Sequence, residues 1–147
     1  IGTAGNSLGL GAYDVITFST GAAGFSGQTE RMRIEQAGNV LITGYTQLGT
    51  TAQGAPVIKM KKLTGTTAAA EDGTTSITHG LTSTKIIAIQ VMVEYSSGSY
   101  ISSSYTNSAG YQYDWYADAT NVTVGNHATN SENILSKPIK VLITYEE

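Results

Sequence analysis

The chain is predicted to be all-β, and three observations carry that expectation. Apolar residues fall at alternate positions in run after run, the period that puts every second side chain on one face of a strand. Between the runs stand Gly, Asn, Ser and Thr, with 17 glycines against 2 prolines in 147 residues, which is turn chemistry rather than helix chemistry. Charged residues make up 13% of the chain, about half the globular average of roughly 25%, so it lacks the charge excess of a disordered segment.

The same numbers exclude several function classes. A net charge of −3 gives no basic footprint for nucleic acid or an anionic membrane surface. The absence of cysteine rules out disulfides and thiolate metal sites. No apolar run approaches the roughly 18 residues of a membrane-spanning helix, so membrane insertion is not expected. The chain opens on Ile1 with no signal-peptide pattern, and is expected to be a piece of a longer protein.

Eleven of the 17 glycines precede Thr64, which separates an N-terminal region, residues 1–63, from the rest. Its strands are short. Ile16 and Phe18 alternate with Val15 and Thr17, Met32 and Ile34 with Arg31 and Arg33, and Val40 and Ile42 with Leu41 and Thr43. Ala37-Gly38-Asn39 supplies positive-φ turn residues, so a hairpin is predicted from Arg31–Glu35 to Val40–Thr43. Each strand offers one or two large apolar residues, too few to close a core from one chain, and an isolated hairpin is marginal in water. Further copies of the chain would pool those residues and pair the open sheet edges.

Thr29–Gly44, TERMRIEQAGNVLITG, closely resembles the TERMRI…GNV.I unit that recurs along the shafts of bacteriophage tail fibres. The resemblance implies a trimeric, interleaved β-shaft over residues 1–63. Within it Ala55–Leu63 reads as a transition strand, with Ile58 and Met60 facing one way and Lys59 and Lys61 the other. The Lys59, Lys61 and Lys62 cluster lacks interleaved aromatics and is expected to be a solvated strand face, not a nucleic-acid site.

Residues 64–75, TGTTAAAEDGTT, read as a polar connector, since three alanines are too few to nucleate a helix. From Ser76 the pattern is that of a small antiparallel β-sandwich head, residues 76–147. Ile77–His79 opens it. Ile87, Ile89, Val91, Val93 and Tyr95 form one long face, Tyr111, Tyr113 and Trp115 another, Val122 and Val124 a third, and Ile139, Val141, Ile143 and Tyr145 the last. Ile77–Leu81 with Lys85–Ile87, Tyr111–Asn121 and Ile134–Glu147 resemble the C-terminal head of tail-fibre-like proteins from phages and prophages of Bacteroidetes. That second likeness implies a receptor-binding tip at the distal end of a virion tail fibre, joined to an upstream fibre segment. Its expected partner is a bacterial cell-surface glycan or an outer-membrane receptor.

The aromatic distribution is the main site signal. Seven of the 12 aromatic residues lie between Tyr95 and Tyr116, and tyrosine offers a flat apolar face with a polar edge. By alternation Tyr111, Tyr113 and Trp115 are assigned to core, and Tyr95 continues the buried face before it. Tyr100 and Tyr105, in a Ser/Gly-rich loop, and Tyr116, which points opposite to Trp115, are the expected ligand contacts. Asp114 is their expected hydrogen-bond acceptor.

No enzyme and no cofactor are expected. Asp114 and Asp118 could approach the carboxylate spacing of a glycosidase, but Asp118-Ala119-Thr120-Asn121 reads as a turn. His79 and His127, 48 positions apart, could meet a metal only as three copies on a symmetry axis. They are expected instead as a strand-end and a loop residue. Gly2–Gly11 lacks the strand and helix that phosphate binding needs. Asn121-Val122-Thr123 matches a glycosylation sequon, which carries no meaning if, as the resemblance implies, the protein is phage-derived and made in bacteria. Three other readings remain: a structural segment that locks the trimer, a glycan-degrading tip, and the fibre of a contractile injection system.

Overall fold

The computed structural model describes residues 15–21 and 27–147; the glycine-rich Gly2–Gly11 stretch lies outside them. The chain is all-β, with three antiparallel sheets, and divides into two compact units, Ile1–Thr46 and Gln47–Glu147.

The first unit holds a three-stranded sheet of β1 (Ile16–Thr20), β2 (Thr29–Ile34) and β3 (Val40–Ile42), in that order. The predicted hairpin is present. Gly38, at φ +83°, makes its turn, closed by Gly38 N–H to Glu35 C=O at 2.8 Å and Glu35 N–H to Asn39 C=O at 2.9 Å. Register decides what the alternation does. Ile16, Ile34 and Val40 align in one row, and Phe18, Met32 and Ile42 in the next, so six large apolar side chains share one face. Arg33 lies on the other face and pairs with Glu30 at 3.5 Å and Glu35 at 2.9 Å. None of this unit's described residues is buried.

The second unit is built from β4 (Thr46–Gln47, across the junction), β5 (Val57–Thr66), β6 (Thr74–Thr78), β7 (Ile86–Ser96), β8 (Ser99–Ile101), β9 (Tyr113–Ala117), β10 (Asn121–Asn126) and β11 (Pro138–Glu146). They form a five-stranded sheet, β4-β5-β11-β7-β8, and a three-stranded sheet, β6-β10-β9. The last strand of the chain is therefore central, paired along its length with β5 on one side and β7 on the other. Ile139, Val141, Ile143, Val91 and Val93 from the larger sheet and Ile77, Tyr113, Val122 and Val124 from the smaller share one hydrophobic cluster. Gly65 makes a close approach possible there: a Cβ at that position would stand 2.6 Å from Ile77 Cδ1.

Several placements differ from the sequence reading. Val57–Thr66 belongs to the second unit, where Lys59 pairs with Tyr145 and Leu63 with Val141; the division at Thr46/Gln47 lies well before residue 63. The connector is not slack. Asn126 Nδ2 donates to Ala68 C=O at 3.0 Å and Ala70 C=O at 2.9 Å, and Thr67 Oγ1 accepts from Lys137 N–H at 2.8 Å. On β5 the sides are reversed: Lys61 lies in the row of buried Ile143 and stretches its ammonium to His79 C=O at 2.7 Å, while Met60 is 70% exposed. Ile87 is exposed as well, beside the register shift at Thr144/Tyr145, and Tyr95, beside the shift at Glu94/Ser96, is 37% exposed where it packs against Tyr105 and Tyr111. Each shift adds a residue to one strand and turns the following side chain over.

Candidate functional site

The site starts from β9, one of the two edge strands of the smaller sheet. Its alternation sends Tyr113 and Trp115 toward the core and leaves Asp114 and Tyr116 exposed on the opposite face. Tyr113 fixes the strand in place. Its ring is buried, and its hydroxyl donates to Ile101 C=O at 2.8 Å, with Val91 C=O at 3.2 Å, so this edge strand is tied to β7 and β8 of the other sheet. Burial pushes the Tyr113 phenol well above its ordinary value.

On the outer face, register lines up residues far apart in the chain. Tyr116 stands opposite Thr123, which stands opposite Ser76; Asp114 stands opposite Gly125, which stands opposite Thr74. Thr123 is buried between its row neighbours and shares a 3.1 Å hydrogen bond with Ser76. In the next row Thr78 Oγ1 donates to Asn121 Oδ1 at 2.9 Å. Gly125 leaves a bare strip of backbone: a Cβ there would meet only Thr74 Cγ2, at 3.7 Å. Tyr116 is 60% exposed. The result is a hydroxyl-bearing surface with one aromatic plate and one carboxylate.

Asp118 closes the β9–β10 turn. Its Oδ1 accepts from Thr120 N–H at 2.7 Å, Asn121 N–H at 2.8 Å and Thr120 Oγ1 at 3.1 Å. Those backbone donors, Thr120 first, hold its carboxyl below the usual range. Its role in the turn is thus the one read from the sequence, and one oxygen of the Asp114/Asp118 pair is engaged three times over. His79 is fully buried, with Nδ1 accepting from Leu81 N–H at 3.1 Å and Nε2 at 3.3 Å from Asp118 C=O. Both ring nitrogens therefore serve the fold. His127 is exposed in a loop, where Nδ1 accepts from Thr129 N–H at 3.2 Å.

The other two expected contacts lie in separate clusters. Tyr100 donates to Glu94 Oε2 at 3.1 Å, and Lys140 Nζ sits 3.6 Å above its ring. Glu94 also accepts from Gly98 N–H at 2.9 Å, and this amide, ahead of Tyr100, lowers its carboxyl pKa. Tyr105 is half-buried against the core, 6.5 Å from the near-parallel ring of Tyr95 and 6.3 Å from the perpendicular ring of Tyr111. Tyr111 meets Tyr95 edge-on at 5.8 Å. Three mutually packed tyrosines stiffen this loop. Thus the fold unites Asp114 with Tyr116 and gives Tyr100 and Tyr105 partners elsewhere. Sequence reasoning missed Ser76, Thr123 and Gly125. Period-two alternation in β6 and β10 could have shown which way they face, but nothing local shows which rows they join.

A second surface feature lies on the outer face of the larger sheet, a groove of about 190 Å³ lined by Lys62, Gln90, Met92, Lys140, Val141 and Leu142. No family model matches this chain, and neither a curated protein nor a solved structure matches it.

Proposed function

We propose that this chain is the distal part of a phage-type tail fibre, a homotrimer that attaches its particle to a bacterial surface by binding a glycan or an outer-membrane receptor. The mechanism is adhesion without chemistry, at the tip of the virion fibre, below an upstream fibre segment. One observation carries the reading: the shaft-like TERMRI…GNVLIT unit forms a hairpin whose apolar face is left open in a single chain. Val40 is 57% exposed, Ile42 47% and Phe18 44%. A three-stranded sheet with no buried residue among those described has no closed core of its own, whereas three copies that turn this face to a common axis supply each other's core. Burying one exposed apolar side chain is worth roughly 1.5–3 kcal/mol, so covering the open halves of six gives on the order of 5 kcal/mol per chain. The second unit, read as a sandwich head, presents the Tyr116 surface. Three such surfaces per fibre multiply a weak single-site affinity through effective concentration.

The test is the solution mass by light scattering on a size-exclusion column. A mass near three times 15.4 kDa is expected, and Ile42→Asp, at a position exposed in the single chain, should reduce it to one. A folded monomer of the unsubstituted chain would sink the shaft reading.

A second reading, in which the head locks the trimer and another protein reads the receptor, is favoured by Met60 and Leu142. Both are exposed on the outer face of the larger sheet, beside its groove, and suit a second copy of this chain. Met60→Asp with Leu142→Asp dissociates the assembly under this reading and leaves its mass unchanged under the first. A contractile injection system would use the same adhesive parts.

A further inference from the structure

Taking the glycan reading as its basis, we propose that the outer face of β6-β10-β9 selects neutral sugars. A pyranose lies across the Gly125 strip, its C–H face on the Tyr116 ring and two adjacent hydroxyls on Asp114. Glycans bearing carboxylate, sulfate or phosphate on the bound residue are excluded.

Four features support this. The first is charge: the strands Thr74–Thr78, Tyr113–Ala117 and Asn121–Asn126 contain no Lys or Arg, and the acidic side chains they and their turn bring here are Asp114 and Asp118. An anionic sugar would meet like charge with no cation on these strands to offset it, and a carboxylate has only acceptor sites to offer. The second is availability. Asp118 Oδ1 is consumed by its turn, but Asp114 is exposed and engages no hydrogen-bond donor among the described residues. Two vicinal hydroxyls can therefore donate to its two oxygens, a charge-assisted pair.

The third is shape. Gly125 stands directly opposite Asp114, and its missing side chain leaves the backbone open up to Thr74. Tyr116 and Asp114 are two residues apart on one strand face, a separation of about 6.8 Å, so one ring can touch the aromatic plate and the carboxylate together. The fourth is rigidity. Tyr113, adjacent to Asp114 on the same strand, is anchored through its hydroxyl to the neighbouring sheet, and Thr123, opposite Tyr116, is held by Ser76.

The experiment measures binding of the intact chain to immobilised polysaccharides by biolayer interferometry. Neutral probes are mannan, galactan, dextran and β-glucan; anionic probes are polygalacturonate, dextran sulfate and polysialic acid. Binding to at least one neutral polymer and to no anionic one is expected. Tyr116→Ala should weaken it more than tenfold, Asp114→Asn about tenfold, and Gly125→Val should block it. Lys62→Ala, at an exposed position on the other sheet, should change it less than twofold. Circular dichroism of each variant verifies the fold, and Asp114→Asn guards against Gly125→Val failing to fold. Binding of an anionic polymer that Tyr116→Ala abolishes overturns the neutral selectivity and leaves the glycan reading standing. Neutral binding that survives Tyr116→Ala overturns the assignment of the surface. No binding to any probe overturns the inference together with the glycan reading.

Discussion

Replacing Tyr113 by Phe removes one oxygen from the framework of the proposed site and nothing else. The ring is buried, and Phe fills the same space, so the packing contribution is nearly unchanged. What disappears is the hydroxyl donor to Ile101 C=O at 2.8 Å and Val91 C=O at 3.2 Å, the polar tie between edge strand β9 and the larger sheet. Loss of a buried hydrogen bond, with acceptors left poorly satisfied, costs about 1–2 kcal/mol. For a unit of 101 residues, Gln47–Glu147, that corresponds to a drop of about 5–10 °C in melting temperature. Trp115 is the sole tryptophan and sits two positions along the same strand, so its fluorescence during urea titration reports this sheet directly. The midpoint should fall by roughly 0.5–1 M with an unchanged slope, measured at one protein concentration because any assembly makes stability concentration-dependent. The pH dependence adds a second readout. Burial raises the phenol above its ordinary value of 10.0, so the folded state holds its proton more tightly than the unfolded one. That stabilisation is complete below pH 10 and is lost as pH rises toward the folded value; Tyr113→Phe should lack the alkaline loss. An unchanged urea midpoint would refute the claim that this hydroxyl fixes β9.

Three further outcomes are expected. His79→Ala strips the partners from Leu81 N–H and Asp118 C=O and opens a cavity at a fully buried position, costing about 3 kcal/mol in chemical denaturation. Asp118→Asn should flatten the acid limb of the stability profile. The depressed Asp118 pKa contributes stability present above its ordinary value of 3.8 and lost as pH falls through the folded value, so the two proteins should differ by a constant at neutral pH and converge in acid. Gly65→Val drives side-chain atoms into Ile77 and should destabilise the head by about 1–3 kcal/mol, whereas Gly125→Val, where a Cβ meets only Thr74 Cγ2 at an ordinary 3.7 Å, should leave its thermal unfolding nearly unchanged.

How much of this was legible in the sequence depends on the range of the signal. The β2–β3 hairpin was readable because alternation and a Gly-Asn turn lie within a dozen residues, where local sterics set the register. The buried faces of β10 and β11 were readable for a similar reason, since Val122 and Val124, or Ile139, Val141 and Ile143, mark a face without naming its partner. Asp114 and Tyr116 could be placed together because they are two apart on one strand. Lys61 was misleading: a charge suggests water, yet its row is fixed by Leu63 opposite Val141, and its long stem lets the ammonium reach a carbonyl at the edge of the core. Ile87 failed because a register shift leaves no mark in a run of alternating apolar residues.

By itself, then, the sequence determined the strand class, the hairpin, which face of most strands turns inward, and the pair Asp114 and Tyr116. Tertiary structure decided the rest: that Val57–Thr66 joins the C-terminal strand, that Tyr100 and Tyr105 are taken up by Glu94, Lys140, Tyr95 and Tyr111, and that Ser76, Thr123 and Gly125 complete the Tyr116 surface. The physical reason is that side-chain alternation is a property of one strand, whereas register between strands dozens of residues apart is set by the joint packing of all of them.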